Sequence, residues 1–153
     1  NKQYPDYRLV IGGDGPEREN LDNLAKHLNL QESVQFLGSL PREAVKDLMA
    51  TSFCYVLSSH VETFGVVVIE ALSQGTPVIA TRCGGPESIL TDKDGLIIPV
   101  DDIDALADAM IQMIKDKHAY DREQIRQRCL ARFSEAAFTK GMVEIYQSCI
   151  DKQ

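Results

Sequence analysis

Glu62 and Glu70 are the residues whose type and spacing most plainly invite chemistry. Glu70 is the only charge between Gly65 and Gln74, in the run Gly-Val-Val-Val-Ile-Glu-Ala-Leu-Ser-Gln. A carboxylate set among branched aliphatic side chains costs free energy unless donors hydrogen-bond to it. The vicinal hydroxyls of a sugar or a ribose can both donate to one carboxylate, so a diol is a fitting partner for Glu70. Glu62 opens the same stretch, as Glu62-Thr63-Phe64-Gly65, in a loop that leaves a predicted strand. Open α/β sheets hold ligands beyond the carboxyl ends of their strands, which puts Glu62 in contact range. The amides of Phe64, Gly65 and Val66 then start a predicted helix. First-turn N–H groups lack intrahelical partners and suit an anion such as a diphosphate, and Gly65 lets backbone come close to it.

The elements that must position these residues alternate along the chain. Short apolar runs alternate with longer amphipathic ones, the pattern of repeated βα units in a doubly wound, Rossmann-like parallel sheet. Strands are predicted at Tyr7–Ile11, Ser33–Leu37, Phe53–Leu57, Thr76–Ala80 and Gly95–Val100. The first runs into Gly12-Gly13-Asp14-Gly15-Pro16, with Pro16 expected at the first helical position and Leu21, Leu24, Ala25 and Leu28 recurring at helical spacing. A short helix is predicted over Pro41–Ala50. Asp101 or Asp102 caps another, with Ile103, Leu106, Ala107, Met110 and Ile114 on its apolar stripe. Two more follow at Asp121–Arg132 and Ser134–Ile150, the last with Phe138, Met142, Ile145, Tyr146 and Cys149 on one side.

Gly65–Leu72 is the ambiguous segment, because four consecutive β-branched residues favour a strand. Ser73-Gln74-Gly75 supplies a helix-ending glycine, and a strand here would follow another with no crossover between them. The stretch is therefore read as a buried helix.

Composition narrows the function classes. Sixteen Lys and Arg against 23 Asp and Glu give a net charge of −7, the wrong sign for a protein that neutralises nucleic-acid phosphates, so no nucleic-acid partner is expected. Cys54, Cys83, Cys129 and Cys149 have neither zinc-ligand nor redox spacing and read as reduced, mostly buried thiols. No apolar run approaches the roughly 20 residues of a membrane helix, and Asn1-Lys2-Gln3-Tyr4-Pro5 does not read as a signal peptide, so a cytoplasmic location is expected. Gly13-x-Gly15-x-x-Arg18 lacks the third glycine of a dinucleotide fingerprint. His60 is the only histidine near Glu62, and the basic run from Lys115 to Arg132 reads as a solvated helix face.

Glu62 to Glu70 matches the E-x7-E motif of retaining glycosyltransferases with the GT-B fold, in the form E-x-F-G-x-x-x-x-E-A. The chain resembles the C-terminal, donor-binding domain of that group (glycosyl transferases group 1), one half of a GT-B fold. Supporting matches are Val10-Ile11-Gly12-Gly13-Asp14-Gly15-Pro16, Val34-Gln35-Phe36-Leu37-Gly38, and Gly75-Thr76-Pro77-Val78-Ile79-Ala80-Thr81 followed by Gly84-Gly85-Pro86-Glu87. Order and spacing follow the family across roughly residues 7 to 118.

The resemblance implies that Glu70 holds the ribose hydroxyls and that Glu62, the catalytic candidate, contacts the transferred sugar. It implies that the amides of Phe64, Gly65 and Val66 meet the distal phosphate or the sugar. Gly12 and Gly13, with Leu37, Gly38 and Ser39, would line the nucleotide. The implied reaction moves a sugar from a nucleoside diphosphate sugar to an acceptor hydroxyl with retention, in polysaccharide or glycoconjugate biosynthesis. No cofactor or metal is implied, and the sequence has no Asp-x-Asp or His-rich cluster. Family members carry an earlier βα unit with an Arg and a Lys that neutralise the diphosphate, and an N-terminal acceptor domain that could bring contact with a membrane surface. Neither has a counterpart here, so the chain is expected to be a single donor domain over residues 1–153, inactive alone. The alternative is a non-catalytic nucleotide-sugar-binding or regulatory domain.

Overall fold

A computed structural model of the chain describes residues 4–151. The described residues form two compact units, one up to Val45 and one from Lys46 onward. Every paired strand is parallel, and helices connect them, which is the α/β, Rossmann-like class expected from the alternation of short and long apolar runs.

In the first unit β1 (Leu9–Gly12) pairs with β2 (Val34–Gly38) in a two-stranded sheet, and α1 (Arg18–His27) is the crossover between them. Leu9 faces Val34 and Ile11 faces Phe36, after which the register slips so that Gly12 meets Gly38. Pro16 is not in the first turn of α1, whose N-cap is Glu17. The turn takes up the difference: Asp14 accepts from the Gly15 amide at 2.9 Å, and the Arg18 amide donates to the Gly15 carbonyl at 3.1 Å. Ala25 is the one buried residue among the described residues of this unit.

α2 (Arg42–Thr51) leads into the second unit, where β3 (Tyr55–Leu57), β4 (Val78–Thr81) and β5 (Gly95–Ile98) form a sheet in that order. β4 is central and buried over its whole length, as an unbroken apolar run in a parallel sheet should be. Its neighbours are α3 (Val66–Ser73) and α5 (Ile103–Lys115), and Ile79 joins Ile98, Ala109 and Met113 in one core cluster. Asp102, rather than Asp101, caps α5 by accepting from the Ala105 amide.

The ambiguous apolar segment is indeed a helix. α3 buries Val68, Ala71 and Leu72. Its end is a Schellman closure, in which the Gly75 amide (φ 74°) donates to Leu72 and the Thr76 amide to Ala71. Tertiary burial and a well-made C-terminus outweigh the strand propensity of Val66–Ile69. One helix was not expected from the sequence, α4 (Gly85–Ile89), too short to show a period, and so was a single 3-10 turn at Lys117–Ala119.

α6 (Arg122–Phe133) packs on α3 and corrects the reading of its basic residues. They are not only a solvated face: three of them fork onto groups elsewhere in the same unit, while Arg126 is exposed. Arg122 donates to the carbonyls of Ala50, Ser52 and Gln74 and to the Thr76 hydroxyl. Arg128 bonds Asp94 and the Lys93 carbonyl, and Arg132 bonds the carbonyls of Ser88 and Ile89. α7 (Glu135–Ile150) is capped by Ser134 and buries no residue; Phe138, Ile145 and Tyr146 of its apolar stripe are exposed. The cysteines are free thiols and mostly buried, as expected: Cys83 and Cys129 are buried and Cys54 half-buried, while Cys149 is exposed.

Candidate functional site

The residues singled out in sequence fall into two groups, each within one unit. In the first unit Gly12, Gly13, Leu37, Gly38 and Ser39 gather where β1 and β2 end. The Gly13 amide donates to the Gly38 carbonyl at 2.7 Å, and both glycines have positive φ (124° and 67°), so the strand ends close against each other in a conformation side chains disfavour. Leu37 and Ser39 lie exposed beside that closure.

In the second unit Glu62, Phe64, Gly65, Val66 and Glu70 occupy one loop and the helix it feeds, at the carboxyl end of β3. Phe64 and Val66 are exposed, Gly65 is buried, and both carboxylate-bearing residues are half-buried. The loop ends at Gly65, in the left-handed region at φ 93°, and the chain turns there into α3. Glu62 folds its carboxylate over that turn: Oε1 accepts from the Gly65 amide at 3.2 Å and from the Phe64 amide at 3.4 Å. Two of the three amides expected to face a diphosphate therefore already meet an anion, the chain's own carboxylate, and successive amides converging on one oxygen form the kind of concavity that holds anions.

Glu70 lies one turn and more into α3, and its main-chain carbonyl accepts from the Ser73 hydroxyl at 2.7 Å. Both carboxylates act on Tyr55 of β3. Burial pushes the Tyr55 phenol above its ordinary pKa, and the negative charges of Glu70 and then Glu62 push it further. Tyr55 was not singled out from sequence. The only available signal was its place at the start of a strand that runs toward Glu62, and an aromatic residue there is equally a core residue.

The loop is held from the neighbouring strand. The Thr81 hydroxyl, at the end of β4, donates to the Ser59 carbonyl at 2.5 Å and lies 3.4 Å from that of Leu57. Beyond it the Glu62 amide donates to the Cys83 carbonyl and the Gly85 amide to the Glu62 carbonyl, both at 2.8 Å. His60 pairs with Asp101 at 2.8 Å, a contact between exposed side chains that bridges the loops after β3 and β5. Arg82 is exposed. No group of His, Cys, Asp and Glu among the described residues could hold a metal ion, and no helix among them is long and apolar enough to cross a membrane.

The chain as a whole is similar to known proteins. The family model for glycosyl transferases group 1 matches residues 1–130. The chain is 35% identical over 144 residues to the N-acetyl-alpha-D-glucosaminyl L-malate synthase of Bacillus anthracis, covering 92% of this chain and 37% of that protein. It is 33% identical over 156 residues to the D-inositol 3-phosphate glycosyltransferase of Corynebacterium urealyticum, covering 96% and 37%. Among solved structures it is similar to the sucrose-phosphate synthase of Thermosynechococcus elongatus, with a TM-score of 0.80, 28% identity, and coverage of 99% of this chain and 40% of the other. HepE of Anabaena in complex with UDP gives a TM-score of 0.80 at 25% identity, covering 94% and 42%. The chain thus spans about two fifths of the length of these relatives. Its fold is that of GT-B glycosyltransferases, and the chain belongs to the glycosyl transferases group 1 family.

Proposed function

We propose that this chain is the C-terminal, donor-binding part of a retaining glycosyltransferase that moves a sugar from a nucleoside diphosphate sugar to an acceptor hydroxyl, in polysaccharide or glycoconjugate biosynthesis. The observation that carries the reading is the Glu62 carboxylate folded onto the Phe64 and Gly65 amides at the turn into α3, with half-buried Glu70 farther along the same helix. Glu70 accepts the ribose hydroxyls, and Glu62 faces the transferred sugar. As the glycosidic bond breaks, negative charge grows on the leaving diphosphate and positive character on the sugar. Amides fixed at the turn stabilise the first, and a carboxylate beside the ring stabilises the second. Gly12, Gly13, Leu37, Gly38 and Ser39 are read, by resemblance, as nucleotide-lining residues. The relatives' names support the class: one is a D-inositol 3-phosphate glycosyltransferase and another is solved in complex with UDP. Donor binding needs no metal in this reading, and turnover needs the acceptor-binding part of a longer protein.

Saturation-transfer NMR of the chain against UDP, GDP and ADP and their hexose conjugates tests it. Contact at the ribose protons that Glu70→Ala abolishes is the expected result. Silence across the panel at millimolar concentration, in this chain and in a longer protein carrying a preceding βα unit, would overturn it. Binding by the longer protein without transfer to any acceptor would instead favour a regulatory domain.

A further inference from the structure

Glu62 belongs to no regular element, and its backbone is fixed from outside. It forms a lone parallel bridge with Gly84, in the turn between β4 and α4, through its amide to the Cys83 carbonyl and through the Gly85 amide to its own carbonyl. That pairing brings two main chains closer than side chains allow. A Cβ at Gly84 would stand 2.7 Å from the Glu62 carbonyl oxygen, and one at Gly85 would stand 2.2 Å from the Phe64 carbonyl carbon and oxygen. Both are inside the distance real Cβ atoms keep, and the obstacle is backbone, which cannot swing aside as a flexible side chain could. Gly84 also has φ 115°, and its amide is held by the Glu87 carboxylate at 2.9 Å.

We infer that Gly84 and Gly85 are positioning residues: they form the template against which the 62–64 segment is laid, and so they set where the Glu62 carboxylate sits. The geometry supports this beyond ordinary loop packing. The atoms they touch are the Glu62 carbonyl and the Phe64 main chain, and the Phe64 and Gly65 amides are the same donors that meet Glu62 Oε1. Pushing the segment off the template moves the carboxylate and its donors together. Glu70 is anchored separately within α3, so its place is not tied to this turn. The inference deepens the functional reading above and rests on it for its ligand readout only.

The test compares Gly85→Ala and Gly84→Ala with Gly141→Ala, whose added Cβ meets open space. Backbone NMR of each reads position, and titrations with UDP and UDP-glucose read consequence. In the first two variants the Phe64 and Gly65 amide resonances shift while those of Val78–Thr81 stay. Affinity for UDP-glucose falls about tenfold or more, since misplacing a contact group by about 1 Å is costly, and affinity for UDP changes far less. Gly141→Ala alters neither. Equal loss for both ligands, in step with the folded fraction, would mean a purely structural role and overturn the inference, as would unmoved Phe64 and Gly65 resonances. Should the alanine variants not fold, Glu87→Ala releases the Gly84 amide without inserting an atom, and the same two readouts decide. If the unsubstituted chain binds neither nucleotide, the functional reading falls, while the amide shifts still decide the positioning.

Discussion

The two units differ sharply in how much of themselves they bury. The first is a two-stranded parallel sheet with one helix, in which Leu9, Leu24 and Leu28 remain 43%, 52% and 54% exposed. The second buries Val68, Leu72, Val78, Ile79, Met113 and Ile125 almost completely. Parallel pairs do best with both faces covered, and two strands alone are marginal. Glu62 and Glu70, proposed to face the transferred sugar and the ribose, thus stand on the dense unit, and the proposed nucleotide-lining glycines on the thin one. The geometry of the first group is enforced by a core, and that of the second mainly by backbone bonds at strand ends.

The contrast is open to attack by substitution. Leu72→Ala, at the buried heart of the dense unit, should cost about 3 kcal/mol in urea unfolding read from the protected amides of β4. A cost under about 1 kcal/mol would break the claim that this core carries the unit. Next, Arg128→Ala should cost about 2 kcal/mol, because it strips a charge-assisted bond from an Asp94 carboxylate that is only 3% exposed.

A pH series sharpens the comparison further. Burial pushes the Cys54 thiol up to about 11, so the folded chain keeps a proton that the unfolded chain releases near 9. That stabilisation is complete below pH 9 and is lost as pH climbs toward 11, and Tyr55 acts in the same direction. Cys54→Ala should flatten the alkaline fall in unfolding free energy between pH about 9 and about 11, and an unchanged slope would contradict the burial. The smallest effect is expected in the thin unit, where Leu24→Ala should change stability by no more than about 0.5 kcal/mol. If β1 amides nevertheless exchange with solvent as slowly as those of β4, the two units are not unequal after all.

Much of this was legible beforehand because it rests on periodicity and punctuation. The strand runs, Gly75 as a helix stop and the single charge in α3 are local signals, and they located both Glu62 and Glu70. What was not legible depends on partners distant in the chain. Nothing local says that Arg122 reaches back to Ser52, that Thr81 holds Ser59, or that the Glu62 carboxylate turns onto the amides ahead of it. Gly84-Gly85 was visible as a motif, but its role appears only when the Phe64 backbone is seen against it. α4 escaped notice because five residues carry no period.

α6 holds its neighbours almost entirely by their main chains. Arg122, Arg128 and Arg132 reach six carbonyl oxygens between Ala50 and Lys93, against one carboxylate and one hydroxyl. Every residue type supplies the same carbonyl. The side chains of Ser52, Gln74, Ser88 and Lys93 are therefore free to vary without loosening the clamp, while each guanidinium is irreplaceable, since an ammonium cannot fork across two acceptors in the same plane. Sequence drift in these connections is absorbed by three arginines, and the fold can be retained while its loops diverge.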